Sequence, residues 1–176
     1  VDQAPTLTLL GDSTFNLDLG EAFADPGFSA EDFSGNQLST AVKLTGEVNV
    51  NVAGTYPLTY AVTDVRGFKT SATRIVVVGD FTSPIVNLNP NVSSFHEAGT
   101  QYLDPMATAA DVLAGISTDL TASITVNYNF NEKSPPGIYS VIYVATDAAG
   151  NVGTATRTVE IQDNTYLVIT LVNPFL

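Results

Sequence analysis

The 176-residue sequence has no cysteine and no tryptophan, and only one histidine and one methionine. Without cysteine no disulfide framework can form and no thiol nucleophile is available. Basic side chains are also scarce. Six Lys and Arg face eighteen Asp and Glu, for a formal net charge of −12, which argues against nucleic-acid backbones and anionic membrane surfaces as partners. No stretch approaches the ~20 consecutive apolar residues of a membrane helix, so direct membrane insertion is not expected. The opening "VDQAPTLTL" has neither a basic start nor an apolar signal core, so any secretion signal or anchor is expected outside this stretch. There is no Gly-x-Ser-x-Gly elbow and no phosphate-cradling glycine loop.

What is present is a folding composition, 44% apolar and 9% aromatic, with Thr, Ser, Asn and Val where charged residues are lacking. These are strand and turn residues. One passage occurs twice: "GTYPLTYAVTDVRG" at 54–67 and "GIYSVIYVATDAAG" at 137–150. The duplication extends further. Pro5, Gly20, Asp25-Pro26 and Asp32 recur 79 residues later, whereas Gly54, Tyr56, Tyr60, Asp64, Gly67, Arg74 and Asp80 recur 83 residues later. The second copy thus carries four extra residues between these anchors, in a stretch that a loop can absorb at small entropic cost. Each copy is long enough for its own core. The expected organisation is one domain over 1–80 and another over 81–163, with 164–176 forming an extra strand or the start of a further module.

Within each copy the period is two. "PLTYAVTD" sets Leu58, Tyr60 and Val62 on one face, and "SVIYVATD" does the same with Val141, Tyr143 and Ala145, the pattern of half-buried antiparallel strands. "DVRGF" and "TDAAGN" read as hairpin connections with Gly67 and Gly150 at positive φ. The nearest approach to a helix is "MATAADVLAG", which predicts one short turn. Short strands with Gly, Pro, Asn and Asp punctuation predict an all-β chain of two tandem immunoglobulin-like β-sandwiches. In such folds a Tyr near the start of the sixth strand bonds back to nearby backbone, and Tyr56 and Tyr139 occupy that position.

The ordered set "LGEAFADPGFSAED", "GTYPLTYAVTDVRG" and "TRIVVVGD", with "YLDPMATAAD", "GIYSVIYVATDAAGN" and "TRTVEIQD" in the second copy, resembles tandem bacterial Ig-like surface modules of the hyalin-repeat-like kind. The second copy departs where Met106 replaces Gly27, and the first where Gly67-Phe68 replaces Gly-Asn; both departures bear on turn geometry. The resemblance implies a spacer, adhesion or binding module without catalytic residues.

Most repeated acids sit in turn contexts, where Asp accepts from backbone amides. Calcium is the sharper alternative, because hard cations take carboxylate and carbonyl oxygens. Asp80 with Asp64 or Asp32 is one candidate donor set, and Asp163, Asp147 and Asp111 are its echo; beyond this no cofactor is expected. "EVNVNV" and "TVNYNFN" predict polar rows of Asn49 and Asn51, and of Asn127, Asn129 and Asn131, opposite core-facing Val and aromatics. Such rows could meet sugar hydroxyls, yet tryptophan platforms are lacking. His96 reads as an exposed loop residue. Asn91-Val92-Ser93 matches a glycosylation triplet.

The expected function is a non-catalytic extracellular or surface-anchored module of a larger bacterial protein, monomeric as a fragment, acting as spacer or adhesion region toward a surface protein or glycan. The alternative is an accessory carbohydrate-binding region. A spacer predicts no pocket, a lectin an aromatic-floored groove, and a hydrolase converging carboxylates in a cleft.

Overall fold

The computed structural model describes residues 3–90, 93 and 95–166. Among these residues there is no α-helix, and none long and apolar enough to cross a membrane. The chain forms two compact units, Val1–Thr82 with Val112–Ser117, and Ser83–Asp111 with Thr118–Leu176.

In the first unit β1 (Thr6–Leu9) pairs antiparallel with β3 (Phe28–Glu31). A second sheet runs in the order β2 (Thr14–Asp18), β6 (Lys69–Gly79), β5 (Gly54–Thr63), β4 (Lys43–Thr45), with β2 parallel to β6 and the other pairs antiparallel. The two-residue period of β5 decides which face is core. Leu58, Tyr60 and Val62 are buried, and Val76 and Val78 of β6 join Leu58 and Tyr60 in one cluster. Leu7, Leu9 and Phe28 of the smaller sheet pack against that cluster, which closes the sandwich. Each fully buried aliphatic side chain contributes roughly 1.5–3 kcal/mol of transfer free energy.

The second sandwich, built from strands within residues 85–162, repeats this plan. One sheet is β10 (Ile116–Asp119), β9 (Ala107–Leu113), β7 (Ile85–Leu88); the other is β11 (Thr125–Tyr128), β12 (Gly137–Thr146), β13 (Val152–Gln162), β8 (Phe95–Glu97), with β8 parallel to β13. Its core gathers Ala107, Val141, Tyr143, Val159 and Ile161. Both units are immunoglobulin-like β-sandwiches.

The corner tyrosines act as the sequence predicts. Tyr56 Oη donates to the Val52 carbonyl at 2.7 Å, and Tyr139 Oη to the Pro135 carbonyl at 2.8 Å. The β5–β6 and β12–β13 hairpins turn with Gly67 at φ +90° and Gly150 at φ +94°.

Two local expectations are corrected. "MATAADVLAG" makes no helical turn: Ala107, Ala109 and Asp111 are buried alternately in β9, and Ala114 and Gly115, both at positive φ, reverse the chain into β10. "EVNVNV" is not a strand. Gly46 at φ +105° ends β4, and a Cβ there would stand 2.1 Å from the Pro57 carbonyl oxygen. Val48 and Val50 still pack on the core from irregular backbone. Residues 167–176, the bulk of the expected extra strand or further module, lie outside the described residues, and 164–166 carry no regular structure.

Candidate functional site

The repeated Arg, Tyr and Asp residues meet inside each unit. In the first, Arg74 is fully buried and forms an ion pair with Asp25. Its Nε donates to the Asp12 carbonyl at 3.1 Å, its Nη2 to the Leu10 and Gly27 carbonyls, and Tyr60 Oη donates to the other Asp25 oxygen. In the second, Arg157 Nε donates to Tyr143 Oη at 3.2 Å, its Nη2 reaches the Asn89 and Met106 carbonyls at 2.7 and 3.1 Å, and Tyr143 Oη donates to Asp104. Each network ties the last strand of the unit to its Asp-Pro turn. A buried guanidinium with its donors satisfied is a structural device, since an unpaired one would be costly. Burial and the hydrogen bond to Asp104 push the Tyr143 phenol up to about 12, and burial likewise raises Tyr60.

Most of the candidate calcium ligands are turn acceptors. Asp32 Oδ1 accepts the Ser34 and Asn36 amides, both at 2.8 Å, and the Asn36 side chain and amide hold its carboxyl below the usual range. Asp64 Oδ1 accepts the Arg66 and Phe68 amides at 2.9 Å. Asp80 accepts Thr82 N–H at 3.3 Å, and Asp163 the Thr165 amide and hydroxyl. Asp147 accepts the Asn151 amide at 2.8 Å and its side-chain NH₂ at 2.9 Å. Desolvation raises its carboxyl, and the hydrogen bonds from Asn151, Gly150 and Ala149 outweigh that to leave it below the usual value. Asp111, 79 residues after Asp32, differs: it is buried and its Oδ1 has no hydrogen-bond donor among the described residues.

The asparagine rows are largely spent on backbone. Asn49 Oδ1 accepts Asn51 N–H at 3.1 Å, Asn129 Oδ1 accepts Ser140 N–H at 2.8 Å, and Asn131 Oδ1 accepts Lys133 N–H at 2.8 Å. Asn127 is exposed on β11. Asn91 and Val92 of the glycosylation triplet lie outside the described residues.

The second unit contains a pocket that the sequence reading did not assemble, with a volume of about 490 Å³. Tyr102, Tyr128 and Phe130 form its floor. Tyr102 contacts Phe130 with centroids 5.2 Å apart at 77°, and Tyr128 contacts Phe130 at 5.9 Å and 86°. His96 is not a loop residue: it sits in β8, and its ring stands edge-on to Tyr102 at 5.3 Å. Gln101, Asn131, Glu132 and Lys133 supply a polar rim. Tyr128 remains 47% exposed while its Oη donates to Asp104 at 2.7 Å. The Tyr102 Oη is buried without a hydrogen-bond partner among the described residues, and burial, reinforced by the nearby Asp104 charge, raises its phenol.

The first unit has a counterpart of about 450 Å³ lined by Phe23, Leu44, Val48, Val50 and Leu58 among others. Leu44 pairs with Tyr60 as Val126 pairs with Tyr143, so Gly46 and Val48 stand where the second unit has Tyr128 and Phe130. The signal lay in comparing "KLTGEV" with "TVNYNF" across the repeat.

Residues 7–78 and 86–161 each match the family described as "Bacterial surface protein, Ig-like domain". The chain belongs to this family. Bacterial surface Ig-like domains thus account for both sandwiches and for the doubled Gly-x-Tyr passage. A protein described as 81.3 kDa from Acholeplasma phage L2 is 26% identical over 152 residues, covering 84% of this chain and 21% of its own length. The pesticidal crystal protein Cry22Aa of Bacillus thuringiensis is 28% identical over 148 residues, covering 78% and 20%. The chain therefore spans about a fifth of the length of these relatives. Among solved structures, the lipoprotein BT2262 of Bacteroides thetaiotaomicron is similar at 22% identity and a TM-score of 0.42, covering 97% of this chain and 88% of that one.

Proposed function

We propose that this pair of bacterial surface Ig-like domains is a non-catalytic binding module of a larger extracellular or surface-anchored protein, and that its second unit holds a short segment of glycan in the aromatic pocket. One observation carries the reading: the same corner of the fold has a single aromatic, Phe23, among aliphatic side chains in the first unit, whereas Tyr102, Tyr128 and Phe130 together floor it in the second. A spacer needs only the first kind of corner. Aromatic faces accept the C–H surface of a sugar ring, and Gln101, Asn131, Glu132 and Lys133 offer donors and acceptors to its hydroxyls. The volume lies within the range of small-ligand sites, ~300–1,000 Å³. The first unit then serves as scaffold and spacer.

Non-catalytic action is supported by how the charged groups are used. Arg74 and Arg157 are buried within hydrogen-bond networks, and Asp111 is shielded from solvent, beyond the reach of a polysaccharide. Glycan-array binding of the fragment, compared with Tyr128→Ala, tests the proposal. Selective binding by the native fragment that the substitution abolishes is the expected result; silence across the array, or binding indifferent to Tyr128, would remove the pocket from the account.

A further inference from the structure

Asp111 stands apart from every other acid discussed above. It is on β9, where the alternation Ala107, Ala109, Asp111 sends all three side chains into the second sandwich, and only 6% of its surface is exposed. Its Oδ1 has no hydrogen-bond donor among the described residues. A buried carboxylate oxygen without a donor costs several kcal/mol unless a positive group compensates it, and such an orphan calls for an explanation. A second carboxylate lies beside it: Asp147, at the start of the β12–β13 turn, brings a carboxylate oxygen within 4.8 Å of one on Asp111. Placing two like charges this close adds repulsion to desolvation. The sequence therefore folds against an electrostatic cost twice over at one point.

We propose that Asp111 and Asp147 are the protein ligands of a divalent-cation site in the second unit, selective for calcium. The spacing fits the ion. Two oxygens on one Ca²⁺, at ~2.3–2.6 Å each, stand at most about 5 Å apart, which accommodates a separation within 4.8 Å, and selectivity follows from Mg²⁺ demanding a stricter octahedron and giving up its waters reluctantly. Asp147 is already oriented by the Asn151 amide and side chain, the outer-sphere support that ligating carboxylates commonly have. The orphan Oδ1 of Asp111 supplies the lone pairs that no protein donor claims. The ion would tie β9, in one sheet of the sandwich, to the β12–β13 hairpin of the other. The first unit lacks the counterpart: Asp32 is occupied by Ser34 and Asn36. This site is independent of the aromatic pocket.

The test uses chelator-treated fragment, calcium chloride and magnesium chloride, with calorimetric titration and thermal unfolding. Wild type is expected to take up calcium with a Kd of roughly 0.1–1 mM, as extracellular modules do, to melt higher in its presence, and to bind magnesium at least about tenfold more weakly. Asp111→Asn and Asp147→Asn should each weaken calcium binding at least about tenfold, while Asp163→Asn leaves it unchanged. Asp111→Asn has a further signature: by removing an unpaired buried charge it raises the melting temperature in calcium-free buffer and abolishes the calcium-dependent rise. Should that variant fail to fold, Mn²⁺ added to labelled wild type reads the site directly, since the Asp111 and Asp147 amide resonances must broaden first. No heat and no thermal shift at millimolar calcium, undiminished binding in the Asn variants, or broadening centred elsewhere would overturn the proposal; equal affinity for magnesium would overturn its selectivity.

Discussion

Arg74 and Asp25 form an ion pair in which the guanidinium is fully buried and the carboxylate side chain keeps 27% of its surface. This asymmetry decides what each substitution does. Removing Asp25 strands a charge in the core, and removing Arg74 leaves a carboxylate that water can still reach.

Asp25→Ala should therefore destabilise the first unit by about 3–5 kcal/mol, the range for breaking a buried pair from one side, and Arg74→Ala by less in electrostatic terms but with added loss of packing. Tyr60→Phe and Tyr143→Phe each remove a hydroxyl that donates to the Asp and accepts from the Arg of its network, two hydrogen bonds apiece, and should cost about 1–3 kcal/mol. Urea unfolding of each variant, followed by unit-specific NMR signals, measures the losses.

Met106 stands at φ +68° where the first unit has Gly27 at φ +88°, and the Asp104 side chain accepts the Met106 amide as Asp25 accepts that of Gly27. The turn survives the change of residue at the cost of a left-handed backbone. Met106→Gly should raise the stability of the second unit by about 1 kcal/mol, and Gly27→Met should lower that of the first by about 1–2 kcal/mol. No atom would crowd a Cβ at Gly27, so the effect reports backbone strain alone. Paired thermal melts read both signs.

Tyr56→Phe and Tyr139→Phe each remove a corner hydrogen bond to a carbonyl four residues earlier. The expected loss is about 1 kcal/mol apiece, because the freed carbonyl lies near solvent and rehydrates. Equal losses in denaturant midpoint would show that the duplicated tyrosine does the same work in both units.

Acid and alkali should act through different groups. The carboxyls of Asp32, Asp119 and Asp163 are held down chiefly by side-chain hydrogen bonds from Asn36, Thr121 and Thr165. Their folded-state pKa values lie below the unfolded ones, so their contribution is complete above about pH 4 and fades as pH falls through the folded values. Tyr60, Tyr128 and Tyr143 are raised, first by burial. Their contribution is complete below about pH 10 and is lost as pH climbs through the folded values. Tyrosinate absorbance in an alkaline titration should rise late for these residues and coincide with unfolding.

The fold was legible because its determinants are local and doubled. The alternation at Leu58, Tyr60 and Val62, the corner Tyr56 and the hairpin Gly67 each act within a few residues, and each has an echo. Less legible were the residues whose partners lie far along the chain. Arg74 meets Leu10, Asp12 and Asp25, none of which its neighbours announce, so the repeated arginines passed without a role. The aromatic pocket escaped for the same reason: Tyr102 and Phe130 come together only when the loop before β9 folds over β11. Asp111 was grouped with Asp32 by spacing, whereas burial on β9 separates them. His96 was misread because three residues of β8 are too few to show a period.

The most direct measurement is ligand titration of the ring-labelled fragment by NMR. With soluble oligosaccharides drawn from array hits, the resonances of His96, Tyr102, Tyr128 and Phe130 should shift together and saturably while those of Phe15, Phe23 and Phe28 stay fixed. Shifts centred on the first unit, or rings of the second that never respond to any bound sugar, would contradict the account.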